Sequence, residues 1–446
     1  MYALTCGCTL LLSGSLADLF GCRIMYLIGS SLLIVFTLGC GMAKTGIQLI
    51  TFRAFSGIAL SLCLPSATSM ITKAFPVGRG RNIAFACYGA AQPLGFSLGL
   101  VLAGALIQSI GWRACYHIVT GVTLVSFISG IWLLPQDDPR REPLTLRSMM
   151  QSVDWIGAAM ASSSLGLFSY VLAVVTASSS RLRSPANISM LSIATLLVPA
   201  FVFWIRCQER RSRAAIIPPS LFRSTTASPH RARIFTATCL SVFLIFGSFN
   251  ALTYFTTLFY QGIQNLSPLS TSPRFLPMVL TGTATNIVTG MLVHRVNANK
   301  LVIGAAVLTT IAPLLMALAN PNWSYFSAIF VAMLFSPIAT DTMFTIANLI
   351  ITEVFPHEIH GLAGGVFNTI AQIGNSVGLA VSAVVAGEVT KAKEAGLGQA
   401  AGEVHMAAVL DGYRASFWTS LAASAVVVGI AGWGLRGSGK VGLKRE

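Results

Sequence analysis

Charge is scarce in this chain of 446 residues. Asp, Glu, Lys and Arg make up 10% of it against 54% apolar residues, and the mean hydropathy is +0.74. So little polar surface excludes a soluble globule of this length. Histidine is also sparse, with six residues, and His357-Glu358-Ile359-His360 lacks the i, i+4 spacing of a zinc helix. The nine cysteines, at 6, 8, 22, 40, 63, 87, 115, 207 and 239, have neither paired metal spacing nor a secreted disulfide framework. Lying in or beside apolar runs, they read as small packing residues. No Walker-type phosphate loop occurs. Gly95-Phe96-Ser97-Leu98-Gly99 fits the hydrolase nucleophile pattern, but that pattern needs a strand-to-helix elbow that an apolar helix does not offer. The expectation is therefore a protein that is not an enzyme and uses no cofactor or metal.

Long apolar runs dominate instead. Runs of about 20 residues are long enough to cross a bilayer, and they fall near 1–19, 24–43, 46–72, 82–110, 114–134, 155–176, 188–205, 234–260, 274–293, 300–319, 324–351, 362–387 and 413–435. The fold class is all-α, a polytopic membrane protein of about 13 transmembrane helices. The net charge of +15 does not point to nucleic acid, because the basic residues alternate by side. Counted by loop, 20 lie on the side of Asp18, 8 on the other, and Arg53 lies within a span. The positive-inside rule then makes the Asp18 side and the C-terminus cytoplasmic. The triplets at Asn187, Asn265 and Asn322 are all expected in outer loops. Met1 leads straight into an apolar run with no basic segment before it, so no signal peptide is expected.

The chain repeats itself. Ile71-Thr72-Lys73-Ala74-Phe75-Pro76 recurs as Ile351-Thr352-Glu353-Val354-Phe355-Pro356, an offset of about 280. Gly95, Gly99 and Leu100 match Gly374, Gly378 and Leu379, and Gly14-x-Leu16-x-Asp18 matches Gly290-x-Leu292-x-His294. Matched helices keep one orientation, so the halves are parallel repeats about the membrane normal. The organisation expected is an N-terminal bundle over 1–134, a connector with two inserted helices over 135–233, a C-terminal bundle over 234–435 and a tail over 436–446. Six plus six helices with two inserted make fourteen, so thirteen spans leave the first without a counterpart.

Four motifs carry the functional reading. Gly14-Ser15-Leu16-Ala17-Asp18-Leu19-Phe20-Gly21-Cys22-Arg23 is a glycine-framed charged turn. It resembles the loop between the second and third helices of the major facilitator superfamily, with Cys22 where the first of two arginines stands; the resemblance makes Gly14, Asp18, Gly21 and Arg23 a gating loop. Arg53 with Gly57 resembles the fourth-helix arginine-glycine motif of that superfamily, associated with proton transfer. Gly89 to Gly99, with Gln92, Pro93, Gly95 and Gly99, resembles the fifth-helix antiporter motif, although Gln92 replaces the glycine before proline and the later double glycine is absent. Asp341 stands near the centre of a span, where an ionisable group is costly and is a functional candidate; burial favours its neutral form, as binding and release of a proton requires. Packing alone also suits such a buried aspartate. By the repeat Asp341 matches position 61, about 12 Å along the axis from Arg53, so a shared cavity is expected rather than an ion pair.

The ensemble resembles the fourteen-span drug:proton antiporters lacking their first helix, and most nearly the fungal aminotriazole-resistance branch. The resemblance implies proton-coupled efflux of small drug-like or toxic compounds by alternating access, by a monomer in the plasma membrane or the vacuolar membrane. Its partners would be a small-molecule substrate, protons and the lipid bilayer. Asn250, Tyr254, Tyr260, Asn286 and Gln372 are candidate cavity residues. Two other classes share these features: an uptake carrier for a nutrient or inorganic solute, and a non-transporting truncated fragment or membrane adaptor.

Overall fold

The computed structural model describes residues 2–76, 78–136, 153–177, 184–211, 229–354, 360–397, 403–436 and 438–439. Most of the two connectors, the Phe355-Pro356 copy of the repeat and most of the tail lie outside these. Among the described residues all regular structure is helical, with thirteen principal helices: α1 (Tyr2–Phe20), α2 (Cys22–Met42), α3 (Gly46–Ala74), α4 (Arg79–Ser109), α5 (Trp112–Leu133), α6 (Trp155–Ala177), α7 (Pro185–Arg210), α8 (Pro229–Leu258), α9 (Leu276–Leu292), α10 (Ala298–Leu318), α11 (Ile338–Val354), α12 (His360–Leu397) and α13 (Glu403–Gly434). Twelve spans are long and apolar enough to cross a membrane; α1 adds a shorter apolar stretch, Thr5–Phe20.

Local chemistry sets the helix ends. Thr45 caps α3, its hydroxyl accepting from Gln48 N while the Gln48 side chain accepts from Thr45 N. Gly21 alone joins α1 to α2 at φ 111°, in a region that costs other residues about 1–3 kcal/mol. The turn is thus one residue wide, because Gly14 to Phe20 stay within α1. Pro185 opens α7 at its first turn, earlier than the apolar run suggests. Asn187, expected in a loop, is accordingly helical and buried.

The expected span 324–351 is broken. A short helix, Ile329–Phe335, stops at Ser336-Pro337 and α11 begins at Ile338, because proline cannot supply the amide that would continue the ladder. Thr309 of α10 bridges the gap: its hydroxyl donates to Phe335 O at 3.2 Å and accepts from Ala339 N at 2.8 Å. The orphaned backbone groups are thereby satisfied away from water.

Packing repeats the sequence symmetry. The helices α1 to α5 form one group, in which α3 packs on α1 and α2, and α2 on α5; α8 to α13 form another. The groups meet chiefly where α1 packs on α12 and α4 on α9. Since α1 corresponds to α9 and α4 to α12 under the repeat, each contact is the image of the other. The hairpin α6–α7 rests on α1 and α12 through α6. Asp154 Oδ1 anchors it, accepting from Gly157 N at 2.8 Å and from Trp204 Nε1 at 2.9 Å.

One contact has no image. In the second group α8 crosses α12 so closely that a Cβ on Gly374 or Gly378 would meet the Phe243 or Gly247 backbone. Around Gly95 and Gly99, the matching positions on α4, a Cβ would meet nothing within 4 Å. Leu94, Phe96 and Leu98 are exposed on the same helix. Glycines permit close helix crossing, and on α4 that capacity is unused by any described helix.

Candidate transport cavity

Where the two groups meet, a cavity of about 580 Å³ opens. Its walls include Tyr2 of α1, Gln92 and Pro93 of α4, Phe246, Phe249 and Asn250 of α8, Thr340 and Asp341 of α11, and Gln372 and Asn375 of α12. No lysine, arginine or histidine is among its lining residues.

Asp341 occupies the first turn of α11, just past the break, and its amide donates to Pro337 O at 2.9 Å. Its carboxyl therefore lies at the positive end of a half-helix. Asn286 of α9 donates from Nδ2 to Asp341 Oδ1 at 2.8 Å, and also to Gly282 O at 3.1 Å. The Asn286 carbonyl in turn accepts from Thr345 Oγ1 at 2.9 Å, which fixes the amide's orientation. Two glycines make room for this arrangement: a Cβ on Gly282 would meet Asp341 Oδ2 at 2.5 Å, and one on Gly89 of α4 would collide with Asn286 Oδ1. Desolvation opposes a charge on the carboxyl, while the helix end and the amide favour it. The first group of helices touches this acid through Asn286.

Arg53 forms no ion pair with Asp341. Its guanidinium lies 4.9 Å from the Tyr2 ring centroid and 5.4 Å from that of Tyr116, both within cation–π range. Gly57 holds this arrangement together, since a Cβ there would strike Tyr2 O and Thr5 Oγ1. Tyr2 thus separates the arginine from the cavity. Ser61, the repeat partner of Asp341, is buried and hydrogen-bonds to Thr9 and Ser13, each at 2.8 Å.

The remaining candidate residues divide. Asn250 and Gln372 line the cavity, and Asn286 lies behind the acid. Tyr260 is fully buried, edge-on to Phe275 with Arg274 5.2 Å from its ring. It packs that end of the helix group and is not among the residues that line this cavity. Tyr254 is 42% exposed and edge-on to Phe255, and it too is not among the residues that line this cavity. Of the fifth-helix motif, Gln92 and Pro93 face the cavity while Gly95 and Gly99 face open space.

At the Asp18 end, Arg23 donates to Ile131 O at 2.6 Å, fastening the last turn of α5. Lys73 Nζ, from the last turn of α3, lies 3.1 Å from Cys22 Sγ. Asp18 acts electrostatically on the same thiol. A lysine from α3 thus brings positive charge to the position where the resembling motif has an arginine. Arg81, 2% exposed, donates to Thr72 O and Phe75 O and closes the end of α3. Sequence reasoning did not single out Tyr2, Thr309, Lys73 or Arg81; for Thr309 alone was there a signal, the Ser336-Pro337 break that needed a partner.

Comparison with known proteins agrees with this architecture. The sequence profile of the Major Facilitator Superfamily matches residues 1–379. The chain belongs to this superfamily. It is 40% identical to "MFS-type transporter 1" of Pyricularia oryzae, over 99% of this chain and 77% of that one. It is 25% identical to the "Low affinity ammonium transporter" of Saccharomyces cerevisiae, over 96% and 78%. The "Aminotriazole resistance protein" of the same yeast is 23% identical, over 86% and 68%. Among solved structures, the human organic anion transporter MFSD10 (TETRAN) has the same fold, with a TM-score of 0.65 at 15% identity over 96% of this chain and 82% of that one. This superfamily member is thus an integral membrane transporter and not an enzyme.

Proposed function

We propose that this protein is a proton-coupled secondary transporter that exports small, drug-like or toxic compounds by alternating access. The observation that carries the reading is Asp341: one carboxyl, at a helix break, in a cavity between two repeat-related helix groups and without a basic residue in the lining. An acid so placed can exchange a proton as the cavity opens to either side. The bundles 1–134 and 234–435 rock about the α1–α12 and α4–α9 seams, and the Asp18 turn gates the cytoplasmic side. The protein works as a monomer in the plasma membrane with its C-terminus cytoplasmic, as its basic loops favour. The α6–α7 hairpin, which has no image in the repeat, supports the fourteen-span drug:proton type. The similarity to an aminotriazole resistance protein supports export.

Similarity to a low affinity ammonium transporter favours a second reading, proton-linked uptake of a small solute. Reconstitution in liposomes containing a pH-sensitive dye separates the two. Export predicts that adding an amphipathic compound drives protons opposite to the compound, and uptake predicts movement in the same direction. Wild-type activity that persists unchanged in Asp341→Asn would remove the acid from either scheme.

A further inference from the structure

A second chamber of about 320 Å³ adjoins the Asp341 cavity and shares with it the walls Gln92, Phe246, Phe344, Gln372 and Asn375. Its own lining adds Tyr88 of α4 and Phe367 and Asn368 of α12, but not Asp341. The two chambers differ in chemistry. In the smaller one the rings Tyr88, Phe344, Phe367 and Phe246 form an arc, with successive centroids 5.6, 5.5 and 6.2 Å apart. Such spacing presents ring faces and edges to a flat guest. Polar groups are few and uncharged. The Tyr88 ring lines the chamber, but its hydroxyl is buried away from it. Asn368 spends its Nδ2 on Gly364 O at 2.9 Å, which leaves its carbonyl to accept.

We propose that this smaller chamber is a separate subsite for an uncharged planar aromatic group that carries one hydrogen-bond donor. The donor gives to Asn368 Oδ1, while the rings cover the plane. A guest that donates to this carbonyl is favoured over a plain hydrocarbon by one hydrogen bond. Charged groups are left to the Asp341 chamber, where the only carboxyl of either lining stands. A substrate filling both chambers would therefore have a flat neutral end and a basic end. The inference rests on the transport reading only in taking the cavity for a substrate site.

The test is equilibrium binding to the purified full chain in lipid nanodiscs, without a pH gradient, so that it does not depend on proton coupling. Two fluorescent tricycles of similar size serve as probes: acridone, which is neutral and has one carbonyl and one N–H, and 9-aminoacridine, which is a cation at neutral pH. The expected result is that both bind together and neither displaces the other. Asn368→Leu should weaken acridone about fivefold, as for loss of one hydrogen bond, and leave 9-aminoacridine unchanged. Asp341→Asn should do the reverse. The probe that is retained reports that each variant is folded. Mutual displacement, no acridone binding to the wild type, or equal effects of the variants on both probes would overturn the proposal. Failure of Asp341→Asn to alter proton flux, with the two probes still independent, would instead count against the transport mechanism alone.

Discussion

Asn286 Nδ2 stands 2.8 Å from Asp341 Oδ1, and the same amide's oxygen rests against Gly89 of the opposite helix group. The state of the acid and the contact between the groups therefore share one side chain. Asp341→Asn keeps the shape but removes the titratable group. It should insert normally and lose gradient-driven transport, measured as flux in liposomes with and without an imposed pH difference. Asn286→Leu removes the donor instead. The carboxyl then loses its hydrogen bond from Asn286, and Gly282 O and Thr345 Oγ1 lose theirs as well; at about 0.5–1.5 kcal/mol for each bond the thermal midpoint should fall, and adding Asp341→Asn should not restore it.

Lys73 lies beside Cys22, close to Asp18, where the helix ends α1, α2 and α3 converge. If this cluster gates the cavity, Lys73→Met and Asp18→Ala should each slow turnover while ligand affinity in membranes stays as it was. Adding Cys22→Arg to Lys73→Met returns the charge from α2 and should recover much of the rate. Affinity loss as the sole defect would place the cluster in binding instead.

Gly378 and Gly99 occupy matching places in the repeat but face different surroundings. Gly378→Ala puts a methyl into the Gly247 backbone, so α8 and α12 must separate and folded yield should fall sharply in a detergent-stability assay. Gly99→Ala meets nothing within 4 Å. It should be neutral or stabilising by up to about 1 kcal/mol, the helix-propensity gain of alanine over glycine.

Gly21→Ala forces an L side chain into φ 111°. The cost of about 1–3 kcal/mol falls on the turn that sets α1 against α2, and should appear as lower thermal stability together with slower transport. A longer link, with a second glycine inserted after Gly21, should relieve the stability loss without restoring the rate.

How far the chain was legible varies with the kind of signal. Helices α1 to α10 lie close to their apolar runs because lipid demands about 20 apolar residues wherever the backbone crosses. The last two helices run well past their expected ends, α12 to Leu397 and α13 from Glu403, since their polar turns continue the helix beyond the apolar stretch. Asp341 was legible as the lone acid in mid-span, but its place at a helix start was not, because that depends on Thr309 from another helix closing the gap at Pro337. Tyr260 was ambiguous for a related reason: a polar aromatic within a span suits a cavity wall or a buried cluster equally well, and the approach of Arg274 and Phe275 is a tertiary feature.

The sequence by itself determined that this is a helical membrane protein with a parallel internal repeat, a charged glycine turn and one acid at membrane depth. Hydropathy, repeat spacing and the cost of a charge in lipid are properties read along one strand of residues. Only the tertiary structure decided which helices meet, that Tyr2 stands between Arg53 and the cavity, that Asn286 joins Asp341 to the other group, and that Gly374 and Gly378 are clasped while Gly95 and Gly99 are open. Each of these depends on how a helix is rotated about its axis and on what lies across from it. An almost uniformly apolar helix has no polar face to reveal that rotation, so it is set by side-chain packing between segments far apart in the chain.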